Sequence, residues 1–159
     1  MIEKIVNSLS YVTAFILTLL VMLIVYDATN RYLFAGGSTA LQELEWHFFD
    51  VVILFSISYA LKHNSHVRVD IFYDKFSLKT QTIVNIISIV FFILPLSFLI
   101  IYIGISFVEL SFVQNEASSD PGGLTHRWVV KSLMTLSFAF VALQAFESLY
   151  KEVKKLGSL

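Results

Sequence analysis

The chain has 159 residues, of which 57% are hydrophobic and only 14% are charged, against the roughly 25% charged residues of a soluble domain. This composition indicates a membrane protein, and a net charge of -1 gives no general attraction to nucleic acid. The absence of cysteine excludes disulfides, thiolate nucleophiles, thiolate zinc sites and iron–sulfur clusters.

The first predicted element is a transmembrane helix over about residues 5–32. No charged residue occurs from Ile5 through Tyr26, a run longer than the ~20 residues that cross a bilayer core. We expect a retained span, because the run is longer than the apolar region of a signal peptide and lacks a small-residue cleavage site. Asp27 and Arg31 have the four-residue spacing of an ion pair on one helix face. Such a pair either satisfies itself at the interface or binds a partner protein or a lipid headgroup.

Between the first two spans, the sequence predicts a short amphipathic helix over about residues 39–46. It follows a glycine pair and begins with capping-box spacing, and we expect it to lie flat on the membrane surface. The second span is predicted over about residues 46–62. Its ionisable residues are His47 and Asp50.

The stretch KHNSHVRVD, residues 62–70, is the most polar part of the chain. As a helix it would place His66 and Asp70 on one face as candidate metal ligands. Its alternating valines instead favour an extended loop, in which Arg68 helps to fix topology against anionic headgroups.

The third and fourth spans are predicted over about residues 80–108 and 128–150, which makes the whole chain, 1–159, one membrane domain. Pro95 removes the helical hydrogen bond to the carbonyl of Phe91 and predicts a kink in the third span. A turn-rich loop with Asp-Pro-Gly-Gly precedes the fourth span.

Orientation follows from the basic residues, because four spans put both termini and the loop after the second span on one side. That side carries eight of the eleven lysine and arginine residues: Lys4, Lys62, Arg68, Lys75, Lys79, Lys151, Lys154 and Lys155. The excess predicts that both termini are cytoplasmic.

No constellation typical of an enzyme is recognisable, so we expect neither catalysis nor a cofactor. The middles of the predicted spans lack charged side chains, which argues against a transport pathway within this chain alone. Two alternatives are a haem or quinone protein that uses His47 and His126, and a self-contained small exporter.

The order of the motifs resembles that of one family. The segment Glu-x-Glu-Trp at residues 43–46, HVRVD at 66–70 and DPGGL-x-x-R-W at 120–128 occur between four spans. Together they resemble the small membrane subunit of tripartite ATP-independent periplasmic (TRAP) transporters. The resemblance covers nearly the whole chain.

The resemblance implies a non-catalytic scaffold in the bacterial inner membrane. In such systems a periplasmic solute-binding protein delivers a carboxylated solute, of the sialic acid or C4-dicarboxylate type, to a large membrane subunit for sodium-coupled transport. The large subunit would be a separate chain, on which this protein packs while helping to dock the binding protein. The sequence does not identify the solute.

Two sets of candidate residues accompany this resemblance. The set expected to contact the large subunit or phospholipid comprises Asp27, Arg31, Trp46, Arg68, Asp70 and Trp128. The set expected to form the docking surface for the binding protein comprises Glu43, Glu45, Glu116 and Asp120.

Overall fold

The computed structural model of the protein describes residues 2–62, 73 and 75–158, and these residues form four long helices. The helices are α1 (Ile2–Phe34), α2 (Thr39–Lys62), α3 (Leu78–Val113) and α4 (Trp128–Leu156). Each is long and apolar enough to cross a membrane, which confirms the prediction of an all-α protein with four spans. The residues weighed as metal ligands, including His66 and Asp70, lie outside the described residues, as does Arg68.

The second span differs from the prediction at its start. The segment 39–46 is helical, but it forms the first turns of α2 and continues without a break into the apolar residues that follow. Ser38 begins the helix, since its hydroxyl accepts a hydrogen bond from the Leu41 amide at 3.4 Å. A break at residue 46 would leave backbone N–H and C=O groups without hydrogen-bond partners near the membrane. In a continuous helix these groups bond to one another.

The four helices lie in a row, in the order α1, α2, α4, α3. Each packs along the next, and α1 makes a smaller contact with α4. The buried residues of α1 recur at every seventh position: Val6, Thr13, Leu20 and Asp27. This interval is typical of two helices that cross at a small left-handed angle. The contact of α1 is therefore one narrow stripe, and most of its apolar surface is exposed.

A π-helical turn interrupts α3 immediately before Pro95. It covers Ile89–Ile93, and the Leu94 amide donates to the Ile89 carbonyl five residues earlier. This turn holds one residue more than an α-helical turn. The disturbance predicted from the proline is thus located in the turn that precedes it.

The extra residue changes which side of α3 is buried. Before the turn, Thr82 and Ile89 are buried seven residues apart. After it, Leu94 is buried, and Ser97, Gly104 and Ser111 form a buried series at seven-residue intervals. This series lies one position later than the first register would give. The π turn therefore directs a series of small residues at α4, which is the usual way for membrane helices to approach closely.

The connections define two ends of the row. We call the end that holds residues 35–38 and 114–127 the loop end, and the opposite end the terminal end. At the terminal end, Lys62 donates to the Asn7 side chain and joins α2 to α1. There the Asn85 amide also donates to Glu152 at 2.9 Å and joins α3 to α4. These bonds join two antiparallel pairs, α1 with α2 and α3 with α4, whereas α2 and α4 both begin at the loop end and run parallel.

Candidate functional site

A cavity of about 630 Å³ lies at the loop end. Its walls are the first turns of α2, the start of α4, the loop 114–127 and Phe107 of α3. Because α2 and α3 lie on either side of α4, the cavity is a crevice between them, and we call it the α2–α3 crevice. Its ionisable lining residues are Glu43, His47, Asp50, Glu116, Asp120, Arg127 and Lys131.

Glu43 joins α2 to the loop 114–127. Its carboxylate accepts hydrogen bonds from the Ser118 hydroxyl and, at 2.5 Å, from the Leu124 amide. The neighbouring Gly123 leaves room for this contact, because a Cβ atom there would lie 2.9 Å from a Glu43 oxygen. Glu43, predicted as part of an acidic docking surface, is thus bound within the chain.

Glu116 joins the same loop to α4. It accepts from the Lys131 ammonium, which also lies 4.0 Å from the centre of the Phe107 ring in a cation–π contact. The hydrogen bond from Lys131 holds the pKa of the Glu116 carboxyl below its ordinary range. Glu116 therefore stays charged at neutral pH, where it pairs with Lys131.

Three charged groups of the crevice remain without such contacts. Within the described part of the chain, the side chains of Asp50, Asp120 and Arg127 form no hydrogen bond and no ion pair. His47 lies one helical turn before Asp50 and is partly buried. The crevice therefore offers two carboxylates and one guanidinium to groups from outside.

A second polar cluster lies at the seam between α1 and α2. Asp27 is 0% exposed, and one of its oxygens accepts from Arg31, so the ion pair expected from the spacing is present. Glu45 of α2 is close enough to interact electrostatically with both residues. One oxygen of Asp27 and one of Glu45 are buried without a hydrogen-bond partner among the described residues. The four predicted docking residues are therefore divided, with Glu45 at the seam and the others at the crevice.

The two tryptophans have different surroundings. Trp46 lines the crevice and is 70% exposed. Trp128 packs edge-on against Phe112, with ring centres 5.4 Å apart, and so ties the start of α4 to the end of α3. Trp46 is thus available to a partner or to lipid, whereas Trp128 also has a packing role within the chain.

The two histidines weighed as haem ligands also differ in position. His47 lines the crevice, whereas His126 is exposed, has a left-handed backbone with φ 61°, and contacts the Thr125 hydroxyl at 2.7 Å. His126 is not among the crevice residues. The two histidines therefore do not both line the α2–α3 crevice.

The sequence interpretation gave no role to Lys131 or Ser118 and regarded Asp50 only as a polar interruption of the second span. The sequence contained evidence that Asp50 lies beside Glu43, because the two residues are seven apart and share one face of a continuous helix. This relation was missed because one helix was assumed to end near residue 46. No local pattern identified Lys131 as the partner of Glu116.

A first prediction concerns Glu43. We expect Glu43→Ala to release the loop 114–127 from α2, because the Leu124 amide and the Ser118 hydroxyl both lose their acceptor. Hydrogen exchange should become faster at Leu124 while the helices stay protected. Glu45→Ala removes the same charge two residues away and should leave Leu124 protected. Equal exchange in both variants would show that Glu43 does not hold the loop.

Comparison with known protein families gives one match. The family described as "Tripartite ATP-independent periplasmic transporters, DctQ component" matches residues 20–155, a range that includes parts of all four helices. Among curated proteins, no significant match was found.

Proposed function

Since the chain belongs to the DctQ family of TRAP transporters and is a small subunit of such a transporter, we propose that it is a non-catalytic scaffold for a large membrane subunit. In this proposal the large subunit is a separate chain that carries the solute. The complex lies in the bacterial inner membrane, with both termini of this chain in the cytoplasm and its loop end in the periplasm. The lysines at the terminal end support this orientation.

The observation that carries the proposal is the row of helices. α1 and α3 lie at its two ends, and each exposes a broad apolar surface. A single row encloses no passage between its helices, whereas a solute pathway needs walls on all sides. The arrangement suits a protein that adds surface to a partner within the bilayer. Arg31, Trp46 and Trp128 are then candidates for contact with that partner or with phospholipid, whereas Asp27 is fully buried and supports Arg31.

We further propose that the loop end helps to dock a periplasmic solute-binding protein, which delivers a carboxylated solute for sodium-coupled transport. The internal contacts of Glu43 and Glu116 reduce their availability for docking. Asp120, exposed in the loop and without an ion pair in the described chain, is the acidic residue best placed for it. Removal of the Asp120 charge should mainly change the rate at which the binding protein associates and the salt dependence of that association.

Reconstitution into vesicles tests this function. We expect sodium-driven uptake when this chain, the large subunit and the loaded binding protein are all present, and none from this chain with the binding protein alone. The large subunit should also copurify with this chain in mild detergent. Sodium-dependent uptake by this chain without the large subunit would contradict the scaffold function.

A further inference from the structure

The contacts between α1 and α2 mark the levels of the membrane on this protein. At the terminal end Asn7 contacts Lys62, and at the loop end Asp27 lies near Glu45. The twenty residues from Asn7 to Asp27 extend for about 30 Å, at ~1.5 Å per residue. This distance equals the ~30 Å thickness of a hydrocarbon core. The two contacts therefore lie near its two surfaces.

Asp50 lies inside these limits. It follows Glu45 by five residues on a continuous helix, which places it about 7 Å further toward the terminal end. Its side chain lines the α2–α3 crevice and is only partly buried. A carboxylate at this depth is costly unless it has a partner, and residues of this kind usually mark a functional contact.

The cations of the crevice do not satisfy Asp50. Lys131 is bound by Glu116 and lies over the Phe107 ring. Arg127 forms no ion pair with Asp50, because no guanidinium nitrogen lies within 4.0 Å of a carboxylate oxygen. His47 interacts with Asp50 electrostatically but forms no hydrogen bond with it. Asp50 therefore has no hydrogen-bond or ion-pair donor within the described chain, and its carboxylate is open to a donor from a partner.

We propose that a transmembrane segment of the large subunit packs at the α2–α3 crevice and presents a lysine or arginine side chain to Asp50. This inference rests on the proposed function, since it requires the large subunit. The depth of Asp50 favours a membrane-embedded chain over a soluble protein, and its charge favours a cation over an acyl chain. The interface then lies on the face of the row formed by α2, α4 and α3.

The rim of the crevice fits this occupant. Trp46 lines the crevice and continues an exposed stripe of α2 through Phe49 and Ile53. Aromatic side chains around a charged contact exclude water from it and are typical of the strongest parts of protein interfaces.

The test is a titration of the purified large subunit with this chain in mild detergent. We expect Asp50→Asn, which keeps the shape of the side chain and removes its charge, to raise the dissociation constant about 30-fold or more. Asp50→Leu should act in the same direction. Glu109→Gln is the matched control, because it also replaces a carboxylate by an amide, at an exposed position of α3 that does not line the crevice. It should bind the large subunit like the wild type.

The outcomes separate this inference from the proposed function. If the wild-type chain does not bind the large subunit, the scaffold function fails. If the wild-type chain binds and Asp50→Asn binds equally well, only the contact with Asp50 is overturned. An equal loss in Glu109→Gln would show that the loss is not specific to the crevice and would overturn the contact too. An Asp50→Asn variant that loses bound phospholipid but keeps its affinity for the large subunit would also overturn the proposed contact.

Discussion

Replacement of Gly104 by leucine should separate α3 from α4 and lower the free energy of unfolding by about 3 kcal/mol. A Cβ atom at this position would overlap the Thr135 hydroxyl and lie 3.3 Å from the Thr135 Cβ and 3.7 Å from its Cα. The obstacle is therefore the Thr135 side chain, whose Cβ is attached to the α4 backbone and cannot rotate away as its hydroxyl can. α3 is at the end of the row and packs mainly on α4, so no other helix would hold it in place.

The loss can be measured by titration from mild detergent into a denaturing detergent. Trp128 fluorescence reports the contact between α3 and α4, because its ring packs on Phe112. Ser106→Leu provides a control, since Ser106 is exposed on the same helix and should accept the added volume.

A graded pair of variants tests the cause. Gly104→Ala should be destabilised, and Thr135→Ala should restore part of that loss, because it removes the hydroxyl that overlaps the new methyl group. An unchanged stability of Gly104→Leu would show that α3 and α4 are further apart than described.

The second large effect is expected from Arg31→Ala, with a loss of about 3–5 kcal/mol in the free energy of unfolding. Asp27 is fully buried, and Arg31 is the cation that pairs with it in the described chain. Without Arg31, the carboxylates of Asp27 and Glu45 would remain close together at the edge of the membrane core. The same titration measures the loss, and the yield of the complex with the large subunit should fall with it.

The neutral double variant Asp27→Asn with Arg31→Gln serves as the comparison. It removes both charges and keeps side chains that can hydrogen-bond, so it should be more stable than Arg31→Ala alone. Tyr32→Ala controls for the loss of a large side chain in the same turn, because Tyr32 is 82% exposed. Arg31→Ala and Tyr32→Ala with equal stability would mean that Asp27 does not depend on Arg31.

Short-range features made the helical fold predictable. Runs of about twenty apolar residues can satisfy their backbone in lipid only as helices, so hydropathy indicates four spans whatever their neighbours are. The contact between Asp27 and Arg31 was equally accessible, because two residues four apart on a helix meet without any tertiary information. The order of short motifs was sufficient to recognise the family, which the match over residues 20–155 confirms.

The candidate site was less predictable, because its residues come from separate helices. The acidic residues Glu43 and Glu116 suggested an exposed surface, but their partners Leu124 and Lys131 bind them within the chain. Because a separate surface helix was predicted at 39–46, the second span was predicted to begin at residue 46. Asp50 was therefore expected near the end of that span. In the continuous α2, the same residue lies three turns into the helix and lines the crevice, with no hydrogen bond or ion pair in the described chain.

By itself, then, the sequence determined the number of spans, the contact of Asp27 with Arg31 and the family. Only the tertiary structure decided that the helices form a row, that the π turn directs Gly104 at Thr135, and that Asp50 faces an open crevice. The physical reason is the separation along the chain of the residues that interact. Hydropathy and helical spacing act between residues a few positions apart, whereas the order of helices depends on the fit of side chains that lie far apart in the chain.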